Sequence, residues 1–271
     1  MSRTPPLSLT NVSVSYGRRP VVRDLTLAPL PGGRVTALVG PNAAGKSTLL
    51  RAIAGLLPAR GRLELGGVDL STLSRTARAA RIGFMPQALP QGVALTVMET
   101  VMGALRAAPL PVPLSGAQVE MRAAETLETL GMDGLALEPL DRLSGGQRQL
   151  ASLAQALVRR PEVLLLDEPT SALDLRHQAL VMAILRRLAD EGRLVVTVLH
   201  DLALAARHAD HIVVLSHGAC AAEGPPAGTL TADLLARVYG VEGRVETCSR
   251  GTVQIVVDGP AAGWPRMRGE T

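Results

Sequence analysis

The run Arg34-Val-Thr-Ala-Leu-Val39, Gly40-Pro-Asn-Ala-Ala-Gly45-Lys46-Ser47, Thr48-Leu-Leu50 decides how the rest of the chain is read. Apolar residues on both faces of 34–39 predict a strand, and the glycine-bearing loop after it leads directly into a helix beginning near Gly45. Residues 40–47 fit the pattern G-x-x-x-x-G-K-[ST] in the strand-to-helix setting that its physics requires. Glycines let the backbone close on an anion, successive amides form a nest, and the helix start adds partial positive charge. Gly40, Pro41, Asn42, Ala43, Ala44 and Gly45 are therefore candidate phosphate-binding positions. Lys46 would bring a compact ammonium to the β- and γ-phosphates of a nucleotide, and Ser47 a hydroxyl to Mg²⁺, with Thr48 next to it. A glycine-rich turn that only caps a helix is the competing reading, and the strand and helix on either side weigh against it.

Composition sharpens this. The chain has 271 residues, enough for one large α/β domain, and 28 basic residues of which all but Lys46 are arginine. A GC-rich genome explains an arginine excess, but a planar guanidinium does not replace an ammonium threaded between phosphate oxygens. One lysine also argues against a GTPase, whose usual guanine-reading N-K-x-D element needs a second. The net charge of +4 comes with no dense run of like charges, so no basic tail is expected. Four aromatic residues, Tyr16, Phe84, Tyr239 and Trp264, give poor support to modules that stack nucleic-acid bases. Cys220 and Cys248 match no metal spacing and read as thiols of a reducing compartment. The N-terminal residues lack the apolar core of a secretory signal, and no stretch approaches the ~18–20 apolar residues that cross a bilayer. The expectation is a soluble or membrane-peripheral protein.

Outward from the loop, residues 7–16 alternate around Asn11 as a strand, Pro31-Gly-Gly33 is a turn, and 62–85 hold a short strand, a small helix and a strand ending at Met85. From 88 to 142 helices and proline-bearing loops take over, with capping-box spacing at Thr96-x-x-Glu99 and Ser115-x-x-Gln118. Leu150, Leu153, Ala154, Leu157 and Val158 recur at helical spacing, and a helix over roughly 175–190 separates the apolar runs Val163–Leu166 and Leu194–Val198. Such runs suit central parallel strands covered by helices. Further short strands fall at 211–216, 219–222, 243–248 and 252–257, with a helix near 232–239 and a loose tail over 259–271.

The run 163–166 ends in Asp167-Glu168, at the C-terminal edge of a parallel strand where open α/β sheets bind ligands. Asp167 is the natural Mg²⁺ partner, and Glu168 could polarise an attacking water as general base. In isolation the pair would read as a helix N-cap or an exposed turn. Leu143-Ser144-Gly145-Gly146-Gln147, taken with these motifs, resembles the signature sequence of the ATP-binding cassette (ABC) ATPases, and the interval to Asp167 holds the periodic helix, the Pro161 turn and the strand. Physically it is again a helix start with exposed amides and a hydroxyl, with simple capping as the plainer reading. Leu114-Ser-Gly-Ala-Gln118 lacks the second glycine and reads as capping only.

The resemblance covers roughly residues 7–245 and implies a P-loop NTPase (RecA-like) α/β core with a mostly parallel sheet, an N-terminal antiparallel β subdomain and an inserted helical subdomain at about 88–142. All of this would form one ATPase domain over 1–258. It implies ATP and Mg²⁺ as cofactors and a head-to-tail dimer in which Ser144, Gly145, Gly146 and Gln147 meet the γ-phosphate held by the opposite subunit. It makes Gln87 a sensor of Mg²⁺ and the attacking water, Asp174 part of the loop crossing the dimer, and His200 a switch contacting the γ-phosphate. Tyr16 resembles the aromatic that stacks on adenine, with a core tyrosine as its alternative. His177, His208, His211 and His217 read as structural. Val198-Leu-His-Asp-Leu202, Leu173–Gln178 and Leu230–Gly240 resemble the ATPases of bacterial importers for ferric siderophores, haem and cobalamin. The implied partners are a separate membrane permease, a second ATPase copy and, indirectly, a solute-binding protein, at the cytoplasmic face of the membrane and without nucleic acid. An exporter motor, or a cassette ATPase of DNA repair or translation, is the alternative. Residues 103–120 depart from the resemblance in the region expected to face the permease.

Overall fold

The computed structural model describes residues 3–87, 95–107 and 112–261. A parallel sheet with one antiparallel edge forms its centre, in the order β10 (Ala219–Gly224), β9 (His211–Ser216), β3 (Arg34–Val39), β8 (Leu194–Val198), β7 (Val163–Asp167), β6 (Ile82–Met85). The neighbours from β9 through β6 run parallel, and β10 alone is antiparallel. β3, the strand entering the phosphate loop, lies between β8 and β9, so the loop emerges at the middle of the sheet.

Alternation along these strands separates two cores. Val35, Ala37 and Val39 of β3, Leu164 and Leu166 of β7, and Ile212 and Val214 of β9 face one side. They pack there with helices α3 (Val97–Arg106), α4 (Gly116–Thr129), α5 (Gly145–Leu157) and α6 (Leu175–Asp190). Leu38, Val163, Leu165, Val213 and Leu215 face the other side. Their partners are α1 (Lys46–Ile53) and an antiparallel sheet in the order β2 (Arg19–Leu30), β1 (Leu7–Tyr16), β4 (Ala59–Leu65), β5 (Val68–Asp69). Each fully buried leucine removed from water contributes about 1.5–3 kcal/mol, which is why strands apolar on both faces occupy the middle.

Further elements include α2 (Arg75–Arg81), α7 (Leu202–His208), short helical segments at Pro226–Thr229, Ala232–Leu234 and Leu235–Tyr239, and the hairpin of β11 (Val241–Thr247) with β12 (Val253–Pro260). The P-loop α/β core and the antiparallel N-terminal sheet expected from the sequence are both present. β2 is an addition to that reading. It is an edge strand, it carries Pro20 and Pro29, and its alternation breaks at Asp24, which has φ 42°. β12 runs to Pro260, into the span read as loose tail, and residues 262–271 lie outside the described residues, Trp264 among them. Of the span read as a helical subdomain, 88–94 and 108–111 also lie outside them. Thr96 and Ser115 cap α3 and α4 through reciprocal boxes with Glu99 and Gln118.

Candidate functional site

At its two glycine ends the loop Gly40–Gly45 is crowded by neighbouring backbone. A Cβ on Gly40 would run into the Leu215 carbonyl, and Gly45, with φ 104°, stands in the left-handed region at the start of α1. Gly45 gives α1 no side-chain cap, so amides of its first turn remain available to an anion. Lys46 follows at 5% exposure, and its Nζ donates to the carbonyls of Gly40 at 2.7 Å and Pro41 at 2.9 Å. Burial lowers the affinity of this ammonium for its proton, and the nearby charges of Glu168 and Asp167 work against that shift.

Parallel pairing of β7 beside β8 and β6 brings the carboxylates to the loop. Ser47 Oγ donates to Asp167 Oδ1 at 2.8 Å. Asp167 is fully buried, and burial raises its pKa, partly offset by the Ser47 hydrogen bond. Its Oδ2 is buried without a hydrogen-bond partner among the described residues. A hydroxyl and a carboxylate with one unmatched oxygen form a hard-oxygen donor set that fits Mg²⁺. Glu168 leaves the strand with φ 57°, a conformation rarely adopted by a residue with a side chain. Gln149 Nε2 donates to the Glu168 carbonyl, and His200 Nε2 lies 2.6 Å from Glu168 Oε1. His200 gets there because β8 ends just before it.

A cleft of about 780 Å³ joins these groups. Asn42 to Thr48 form one wall, Gln87, Glu168 and His200 another, and Tyr16, Arg19 and Val21 of the β1–β2 hairpin the far end. Tyr16 is 45% exposed, and its hydroxyl accepts from Arg51 Nη1 at 3.5 Å. Gly40, Pro41 and the buried Asp167 lie behind the wall, the first two turning their carbonyls to Lys46 and Asp167 accepting from Ser47.

Five further residues singled out above lie away from this cleft. Ser144 caps α5, with Gln147 N donating to Ser144 Oγ at 3.2 Å and Ser144 N to Gln147 Oε1 at 2.8 Å. Gly145 and Gly146 open the helix, and a Cβ on Gly146 would meet the Ala172 carbonyl at 3.0 Å. Asp174 caps α6, accepting from His177 N at 2.8 Å and lying 2.8 Å from His177 Nδ1. The close approach of Gly146 to Ala172 makes the start of α5 and the loop before α6 one exposed patch, with Leu175 84% exposed beside it. His208, His211 and His217 stand outside the cleft as well. Arg19 and Val21 were missed in the sequence because β2 was. Gln149 was missed too, although a polar residue within the apolar-periodic stretch of α5 was its available signal.

The sheet order and the loop, with Lys46, Ser47 and Glu168 in one cleft and Asp167 buried behind Ser47, define a P-loop ATPase. The family model described as ABC transporter matches residues 24–171, and the chain belongs to that family. It is 42% identical over 236 residues to the hemin import ATP-binding protein HmuV of Rhodococcus jostii (strain RHA1), covering 86% of this chain and 80% of that one. It is 35% identical over 257 residues to the ferric enterobactin transport ATP-binding protein FepC of Escherichia coli (strain K12), covering 94% and 90%. Among solved structures, the dimeric ATP-binding cassette MJ0796 superposes with a TM-score of 0.74 at 29% identity, covering 81% of this chain and 98% of that one.

Proposed function

We propose that this ATPase powers uptake of an iron chelate, haem or a ferric siderophore, through a separate membrane permease at the cytoplasmic face. The hemin and enterobactin names of its relatives support the cargo class. No helix among the described residues is long and apolar enough to cross a membrane, which agrees with a permease on another chain. The observation that carries the reading is the pairing of His200 with Glu168 within one cleft and the hydrogen bond from its lining residue Ser47 to the buried Asp167 behind it.

In this reading Lys46 and the amides of residues 42–48 hold the β- and γ-phosphates, and Tyr16 supports the base. Ser47, Asp167 and Gln87 would hold Mg²⁺, which when bound neutralises charge on the phosphate oxygens. Glu168 orients the attacking water and accepts its proton, while the hydrogen bond from His200 fixes the carboxylate. Gln149 acts as a positioning residue, holding the backbone turn on which Glu168 stands. The patch formed by Ser144, Gly145, Gly146, Gln147 and Asp174 meets the γ-phosphate on a second copy, so two chains complete two sites.

The cargo is tested by deleting the gene and measuring growth on haem, ferric siderophores and cobalamin as separate supplements. Loss on an iron chelate, restored by the wild-type gene and not by Glu168→Gln, is expected. Undiminished growth on every iron chelate would overturn the assignment.

A further inference from the structure

Away from the nucleotide cleft, a cavity of about 570 Å³ opens where α4, the end of α5 and α6 meet. Its residues Arg160 and Arg193 precede β7 and β8, whereas Glu168 and His200 follow those strands, so the sheet separates the two cavities. The floor is apolar, made of the buried Leu157, Ile184 and Leu188. Thr126 and Thr129 spend their hydroxyl protons on the carbonyls of Arg122 and Glu125. Guanidiniums are then the side-chain donors left in the lining.

Three of them, on Arg160, Arg187 and Arg193, share the lining with two carboxylates, Glu125 and Glu191, which leaves one surplus positive charge. Their pairing is loose. Arg160 meets Glu125 at 3.2 Å with both side chains exposed, and Arg193 reaches Glu191 and the Pro161 carbonyl only at 3.5 Å. Arg187 has no hydrogen-bond or ion-pair partner among the described residues. Burial, and with less weight the Arg160 charge, lower the affinity of Arg193 for its proton, while Glu191 opposes them. Arg160 stands at φ 54°, a backbone conformation that favours glycine.

An apolar floor beneath under-paired guanidiniums suits a ligand with an apolar body and one negative charge, and the volume lies in the range of small-molecule sites. A carboxylate meets a guanidinium through two parallel hydrogen bonds. Inorganic phosphate carries more charge and has nothing to lay on the leucines. We infer that this cavity binds a medium-chain fatty acid, its carboxylate held by Arg187 and Arg193 and its chain on Leu157, Ile184 and Leu188. Such an occupant touches α4 and α6 together and ties the inserted helices to the core. Nothing in this depends on nucleotide hydrolysis.

The test is titration calorimetry of the full chain, without nucleotide, using decanoate, decanol and inorganic phosphate. Decanoate should saturate one site per chain, with decanol and phosphate binding at least about tenfold more weakly. Arg187→Met removes the charge and keeps the bulk, and Thr129→Trp fills the mouth without changing charge; both positions are exposed. Each should weaken decanoate roughly tenfold or more, while Arg75→Met, on α2 and outside the cavity, should leave it unchanged. Decanoate should also raise the melting midpoint of the wild type and not that of Arg187→Met, which reports the site independently of binding heat. Absence of saturable decanoate binding, equal affinity for decanol or phosphate, or wild-type affinity in both cavity variants would overturn the inference.

Discussion

Two helix starts in this molecule could each meet a phosphate, and they are built in opposite ways. α1 begins at Gly45 with no side-chain cap, a buried lysine and a backbone bent into the left-handed region. α5 begins at Ser144 with its capping box closed, the Gln147 amide accepted by the serine and the Ser144 amide by the glutamine. The first leaves its anion-binding groups open and is supported by its own chain. The second satisfies itself, exposes only its glycine turn and serine hydroxyl proton, and lies outside the cleft. One is therefore a cradle left open to an anion, and the other closes on itself; in the function proposed above it meets the cradle of a second copy.

The largest expected effect falls on the cradle. Lys46→Ala should weaken ATP binding by about 3 kcal/mol or more, a hundredfold or more in Kd by calorimetry, and Lys46→Arg should not restore it. Retained affinity in either variant would break the contrast. Next, Glu168→Gln should lower kcat by ~10²–10⁴-fold in a phosphate-release assay while leaving nucleotide affinity largely intact.

A finer test uses the decoy. Ser115 closes the same kind of box on α4, with Gln118 N donating to Ser115 Oγ at 3.3 Å. Ser144→Ala and Ser115→Ala should each cost about 1 kcal/mol of stability in urea melts, but only Ser144→Ala should reduce hydrolysis beyond that cost. Equal activities would reduce the α5 start to a cap.

The smallest effect concerns pH. The Thr96 amide and hydroxyl hold the Glu99 carboxyl below its ordinary 4.5, and the His177 amide holds Asp174 low in the same way. Lowered carboxyls stabilise the fold above the unfolded-state pKa, and that contribution is lost as pH falls through the lowered folded value. The boxes on α4 and α5 use glutamine and do not titrate. Acid melts of Glu99→Gln should therefore lose part of the destabilisation seen below about pH 4.5 in the wild type. An unchanged profile would remove Glu99 from the account.

Much of this was legible because it rests on local rules. α6 and the strands β7 and β8 follow from apolar runs, and the loop and Asp167-Glu168 from motif and position. β2 was hidden because edge strands tolerate proline and a break in alternation, and with it went Arg19 and Val21. The left-handed turn at Glu168 and its support by Gln149 depend on α5 lying against the end of β7, a tertiary contact that no local pattern encodes.

The central claim is that the α5 start completes the α1 cradle of another chain. Its most direct measurement is the solution mass of Glu168→Gln, by size-exclusion with light scattering, with and without ATP and Mg²⁺. The account predicts a monomer that becomes a dimer when nucleotide is added, and no dimer when Ser144→Ala is introduced as well. A monomer fully loaded with ATP, together with wild-type hydrolysis that does not depend on protein concentration, would contradict it.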